Sequence, residues 1–362
     1  MIGMMNRKER RAAAKQTRTG KSRNVDAATA KVNEAIALAQ AEKFEAAEAL
    51  LLEAQRINPD DPELKHQLGM IYVRTGRSEE GQALLRAAVD ARPNEALYWN
   101  NLAAAYLSVE HSEQGVEAAR RSVALLPGYS EAWQNLAFGL RDLAKHADAV
   151  PAFEKADATG VLPPASIASW GESLGLIGRF PEAERLVRRA LEAAPDDAPI
   201  LTLLGWVLVE QRKEAEAREA FKRSLDRNPN QFLAAFNYGV LLLKTPDIAG
   251  ALRWLRRATS IDIKAAAAWR VLALELARHG HNEEALPAAE RAARLDPNDH
   301  AIAKLLTRLK GQPEAGTEET VFDFSEPTPL GPELAPGIAK REKAAEDAEA
   351  GVVDLSTINF GD

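Results

Sequence analysis

The stretch from Ala96 to Gly128 reads ALYWNNLAAAYLSVEHSEQGVEAARRSVALLPG, and its spacing decides the fold. Counting Ala96 as position 1, large residues fall at positions 4, 7 and 11 (Trp99, Leu102, Tyr106), which share one face of a helix. Small residues fall at positions 8, 20 and 27 (Ala103, Gly115, Ser122), where two antiparallel helices can approach closely. Pro127, at position 32, stops the second helix. Stepping outward by 34 residues keeps this register. Position 8 becomes Ala35, Gly69, Ala137, Gly171, Gly205, Gly239 and Ala273. Positions 20 and 27 behave alike, and all 24 residues at the three small positions are Ala, Gly or Ser. Proline returns at position 32 as Pro59, Pro93, Pro195, Pro229 and Pro297.

A 34-residue helix–turn–helix with this pattern resembles the tetratricopeptide repeat family. The resemblance implies an all-α, right-handed α-solenoid superhelix of eight repeats, near 28–61, 62–95, 96–129, 130–163, 164–197, 198–231, 232–265 and 266–299. The array as a whole spans 26–311 and is expected to end in a capping helix over 299–310. There Ile302, Leu305, Leu306 and Leu309 form one apolar stripe, Asp299 can cap the start and Gly311 the end. Such a helix would cover the last repeat's seam. Val161 replaces the usual proline before Pro163 and Pro164, but the register survives, so a local change of packing angle is expected there rather than a break. Pro246 falls in the inter-helix turn of the seventh repeat.

Composition bounds the chemistry. Among 362 residues there is no cysteine, which excludes a disulfide framework and thiol catalysis. No apolar run reaches the length of a membrane span, and no secretory pattern opens the chain, so a cytoplasmic home is expected. The net charge of −7 is uneven: residues 1–25 carry +7 and residues 312–362 carry −9. The basic arm reads as a disordered, solvated leader, and the acidic, proline-containing tail as disordered too. Two islands stand out in the tail, Val321 to Phe324 and Leu355 to Phe360, as candidate docking motifs.

Signals for catalysis fail on context. Gly171 to Gly175 reads GESLG and fits G-x-S-x-G, but a nucleophile elbow needs a strand before it, and this segment lies mid-helix. His279 and His281 flank a turn at a spacing that fits no common zinc site. No phosphate-binding loop or dinucleotide fingerprint is present. No catalytic, cofactor-binding or metal-binding residue is therefore assigned, and no enzymatic activity or cofactor is expected.

The better signal lies on the inner groove, which first helices line at positions 2, 5, 6, 9, 12 and 13 in this family. Position 6 runs Asn33, Gln67, Asn101, Asn135, Ser169, Leu203, Asn237 and Val271. The four leading amides resemble the asparagine ladder in the repeat superhelix of O-GlcNAc transferases, here without a catalytic domain. A carboxamide both donates and accepts, so such a ladder would read the backbone of an extended peptide. Further along, Phe138, Trp206 and Phe236 would supply apolar anchors, and Asn237 one more amide. Position 5 holds no lysine, which argues against a carboxylate clamp. The expected function is a non-enzymatic protein–protein interaction scaffold that binds an extended or helical peptide segment in its concave groove. Its partner would be a protein or peptide, not a small-molecule substrate, and the acidic body disfavours nucleic acid. Two rivals are an adaptor for a separately encoded transferase and a self-assembling scaffold whose tail motifs dock in a neighbour's groove.

Overall fold

A computed structural model describes residues 26–311, and along them each 34-residue step folds as two antiparallel helices. Among the described residues there are seventeen helices and no strand. They form two compact units, 26–162 and 163–311. The first unit holds α1 (residues 26–40), α2 (Phe44–Ile57), α3 (Pro62–Arg74), α4 (Ser78–Ala91), α5 (Ala96–Leu107), α6 (Ser112–Leu125), α7 (Ser130–Asp142) and α8 (His146–Thr159). The second holds α9 (Pro164–Leu176), α10 (Phe180–Ala193), α11 (Ala198–Glu210), α12 (Glu214–Arg227), α13 (Phe232–Leu242), α14 (Ile248–Ile261), α15 (Ala266–Arg278), α16 (Asn282–Leu295) and α17 (His300–Leu309). First helices from α3 to α15, and second helices from α2 to α16, each begin 34 residues after the last. The helix register runs on past the 95%-exposed Val161, while the two units divide between Leu162 and Pro163.

The small positions are explained by contact distances. A Cβ on Gly81 would stand 2.7 Å from the Gly69 carbonyl oxygen, so α3 and α4 cross backbone to backbone there. In the second unit a Cβ on Gly205 would stand 2.5 Å from the ring of Phe221, a side chain with no exposed surface. Serine at position 27 has its own use: Ser122 Oγ donates to the Ala96 carbonyl at 2.8 Å, and Ser224 Oγ to the Ala198 carbonyl at 2.9 Å. Each ties the second helix of a repeat to the start of its first. Phe153 and Phe221 sit at the centres of α8 and α12 and are fully buried.

The turn within each repeat is also fixed. At position 15 the backbone turns left-handed: Glu42, Gly76, Glu110, Ala144, Gly178, Arg212 and Gly280 have φ between 56° and 83°. The seventh repeat has Pro246 at this position, whose ring fixes φ negative. There α13 is shortened to 11 residues, and Asp247 caps α14 by accepting from the Gly250 amide at 2.9 Å. Asp299 accepts from the Ala301 and Ile302 amides at 2.9 and 3.1 Å, and Gly311 has φ 65°, so α17 is capped at both ends by the residues its sequence offered. Residues 1–25 and 312–362, with the arm and the tail motifs expected there, lie outside the described residues.

Candidate binding face

Position 6 of the first unit places Asn33 on α1, Gln67 on α3, Asn101 on α5 and Asn135 on α7. Asn33 is exposed, whereas Gln67, Asn101 and Asn135 are 2% exposed or less. Burial of a carboxamide is costly unless its donors and acceptor are used, and these are used inside the protein. Asn135 Nδ2 donates to Asn100 Oδ1 at 2.8 Å, Asn100 Nδ2 to Asn101 Oδ1 at 3.3 Å, and Asn101 Nδ2 faces His66 Nε2 at 2.9 Å. Tyr129 OH also accepts from Asn100 Nδ2, at 3.3 Å. A polar chain thus runs from α7 through α5 to α3. The amides of Asn101 and Asn135 bond sideways along the row of helices.

The chain continues into a carboxylate. With Nε2 accepting from Asn101, the His66 proton lies on Nδ1, which faces Glu63 Oε1 across 3.8 Å. The His66 ring stacks on Tyr98 with centroids 4.3 Å apart. Tyr98 OH donates to Glu63 Oε2 at 2.7 Å, and Gln67 Nε2 donates to Glu63 Oε1 at 2.8 Å. His66 does most to hold the Glu63 carboxyl down, to about 2, with burial opposing it and the bonds from Gln67 and Tyr98 assisting. Burial, and then the bond to Glu63, push the Tyr98 hydroxyl up. Glu63, His66, Tyr98 and Asn100 are members that the position-6 pattern did not contain.

The apolar anchors separate into two kinds. Phe138 on α7 is half-buried, with its ring edge-on to Phe153 at 5.6 Å and the Arg141 guanidinium 5.5 Å from its centroid. Trp206 on α11 is half-buried as well; it lies over Gly175 and meets Phe180 at 6.0 Å. Phe236 on α13 is 2% exposed and stacks on Phe232 at 6.1 Å, so it fills the core. Asn237 is 6% exposed, with Nδ2 donating to the carbonyl of Leu233 one turn earlier, at 2.9 Å. That bond turns the amide back onto its own helix.

Ser173 of the GESLG stretch lies inside α9, fully buried, with its hydroxyl donating to the Ser169 carbonyl at 3.1 Å. A residue in that setting has no strained turn to present it. His279 follows α15 and lies 3.8 Å from Glu275. Among the described residues no group of three His, Cys, Asp or Glu side chains is placed to hold a metal ion, and no helix is long and apolar enough to cross a membrane.

Two family models, both of the tetratricopeptide repeat, match the sequence. One matches residues 8–62, 169–231 and 202–268, the other 38–106, and together they take in more than half of the chain. No curated protein matches it. Among solved structures it is similar to the Cut9–Hcn1 hetero-tetramer of the APC/C, at 18% identity and TM-score 0.53, over 76% of this chain and 54% of that one. A tetratricopeptide repeat protein from Parabacteroides merdae is similar at 16% identity and TM-score 0.51, over 69% of this chain and 99% of that one. Pseudomonas aeruginosa pilF is similar at 20% identity and TM-score 0.51, over 59% and 95% respectively. At these identities the likeness is one of fold.

Proposed function

We propose that this chain, which belongs to the tetratricopeptide repeat family, is a non-enzymatic scaffold that holds an extended or helical protein segment across the first-helix face of its first unit. The observation that supports this reading is the polar chain from Glu63 to Asn135, which fixes α3, α5 and α7 side by side. A face whose side chains are already held loses little conformational freedom when a partner docks. The amides then have a positioning role, and contact falls to groups with surface still to offer. Asn33 on α1 and Phe138 on α7 are such groups in the first unit, and Trp206 offers a separate apolar contact in the second. A partner segment would bury an apolar side chain against Phe138, beside the Arg141 guanidinium, and meet polar groups along the rest of the face.

The test is site-specific photo-crosslinking in native lysate. A photoreactive residue at Asn33 or Phe138 is expected to give adducts with a discrete protein partner. The same residue at Glu113, exposed on the second helix α6, is expected to give none. Adducts from Glu113 with none from Phe138 would place recognition on the other face and end the proposal.

A further inference from the structure

The last described repeat carries an open cleft of about 570 Å³ beside α14, α15 and α16. Its apolar lining includes Ile263, Trp269 and Pro287, and its charged lining is Arg256, Arg291, Arg294 and a single acid, Glu284. Ile263 is 54% exposed, an uncommon state for a residue of that size. Trp269 Nε1 and Arg291 Nη2 both donate to the Ile263 carbonyl, each at 3.1 Å, which holds the ring and the guanidinium close to the isoleucine backbone. Arg256 pairs with Glu284 at 2.7 Å. Three arginines against one carboxylate leave the cleft positive around an apolar floor.

The chain itself contains a segment of matching chemistry. Glu318 to Glu326 reads EETVFDFSE, with four acids, no base and two phenylalanines. In an extended strand alternate side chains share a face. In that conformation Glu318, Phe322, Phe324 and Glu326 would share one face, two rings flanked by carboxylates. The geometry of approach is favourable too. The end of α17 is held against α16 by the ion pair of Lys310 with Glu290 at 2.9 Å, and Glu290 immediately precedes Arg291. Six residues lie between Gly311 and Glu318, and the seven steps from one to the other can span about 25 Å of extended chain.

We propose that residues 318–326 dock in this cleft of their own chain, with Phe322 and Phe324 on Ile263 and Trp269 and the flanking glutamates on Arg291 and Arg294. The cleft takes in no residue of the first unit, where the proposed binding face lies, so this inference stands apart from the proposed function.

The absence of cysteine allows a clean test in the full chain. Ser260→Cys on α14 and Thr328→Cys beyond the segment are spin-labelled together, and their separation is measured by pulsed electron paramagnetic resonance. Docking gives one narrow distance. R291E with R294E broadens it, and adding E318K with E326K to that variant narrows it again. Circular dichroism of each variant checks that the helices persist. Diluting labelled chains tenfold with unlabelled ones leaves the distance in place if docking is within one chain. A broad distribution in the parent chain, a narrow one indifferent to charge reversal, a failed rescue, or a signal lost on dilution (docking on a second copy) each overturns the proposal.

Discussion

Glu63 shows what a single side chain does on the inner face. Its carboxylate accepts from Tyr98 and Gln67 and faces the His66 ring, and its pKa is held at about 2 against an ordinary 4.5. A depressed folded-state pKa contributes stability that is present above the unfolded value and lost as pH falls towards the folded one. The window is therefore pH 4.5 down to about 2. The full shift would correspond to roughly 3 kcal/mol, and with the side chain 34% exposed, solvent screening reduces this to about 1–2 kcal/mol. Glu63→Gln is expected to lose that amount at pH 7 and to match the parent chain near pH 2. Urea unfolding of both proteins at pH 7, 4 and 2.5 reads the difference directly. A gap that stays constant with pH would mean that the carboxylate's charge has no part in it. The same residues show where sequence reading stopped. Glu63–Tyr98, His66–Asn101 and Asn100–Asn135 are each 35 residues apart, one repeat plus one residue. A period of 34 aligns like positions of successive repeats, whereas each of these contacts joins unlike positions. The offset arises because neighbouring first helices meet one position out of step, 2 against 3 for Glu63 and Tyr98 and 5 against 6 for the other two pairs.

Within each repeat, the elements were almost wholly written in the sequence, because helix ends and close crossings are set by local chemistry. Small residues at positions 8 and 20, proline at 32 and the Asp299 cap each found the structural use expected of them. The left-handed turn at position 15 was missed. Its signal is only partial: Gly76, Gly178 and Gly280 mark it at every third repeat, while Glu42, Glu110, Ala144 and Arg212 adopt it with a side chain. A non-glycine residue in that region costs about 1–2 kcal/mol in its folded conformation, and glycine returns part of this through a more flexible unfolded chain. Ala144 has φ 56° and is exposed, so little packing is at stake there. Ala144→Gly is expected to stabilise the first unit by about 0.5–1 kcal/mol, seen as a rise in the thermal midpoint. A fall would show that the turn's stiffness outweighs its strain. Pro246 is the exception that fixes the rule, since the one repeat unable to take this turn has the shortened first helix.

At the scale of the whole chain, the 34-residue register predicts how damage spreads. Each helix pair packs chiefly on itself and on its neighbours in sequence, as the adjacency of α7 with α8 and of α15 with α16 shows. Stability in such an array is a sum of repeat terms and nearest-neighbour terms. Phe153, fully buried in α8 and edge-on to Phe138, is a sharp probe of this. Phe153→Ala removes a core ring and leaves a cavity, a loss of about 3–5 kcal/mol. In a globular domain with one shared core that loss would lower protection everywhere. Here amide hydrogen exchange is expected to quicken in α7 and α8 and in the helices next to them, and to stay unchanged in α15 and α16. Equal acceleration from α1 to α17 would show that the described chain unfolds as one cooperative body, and the repeat-by-repeat account of its energetics would have to be abandoned.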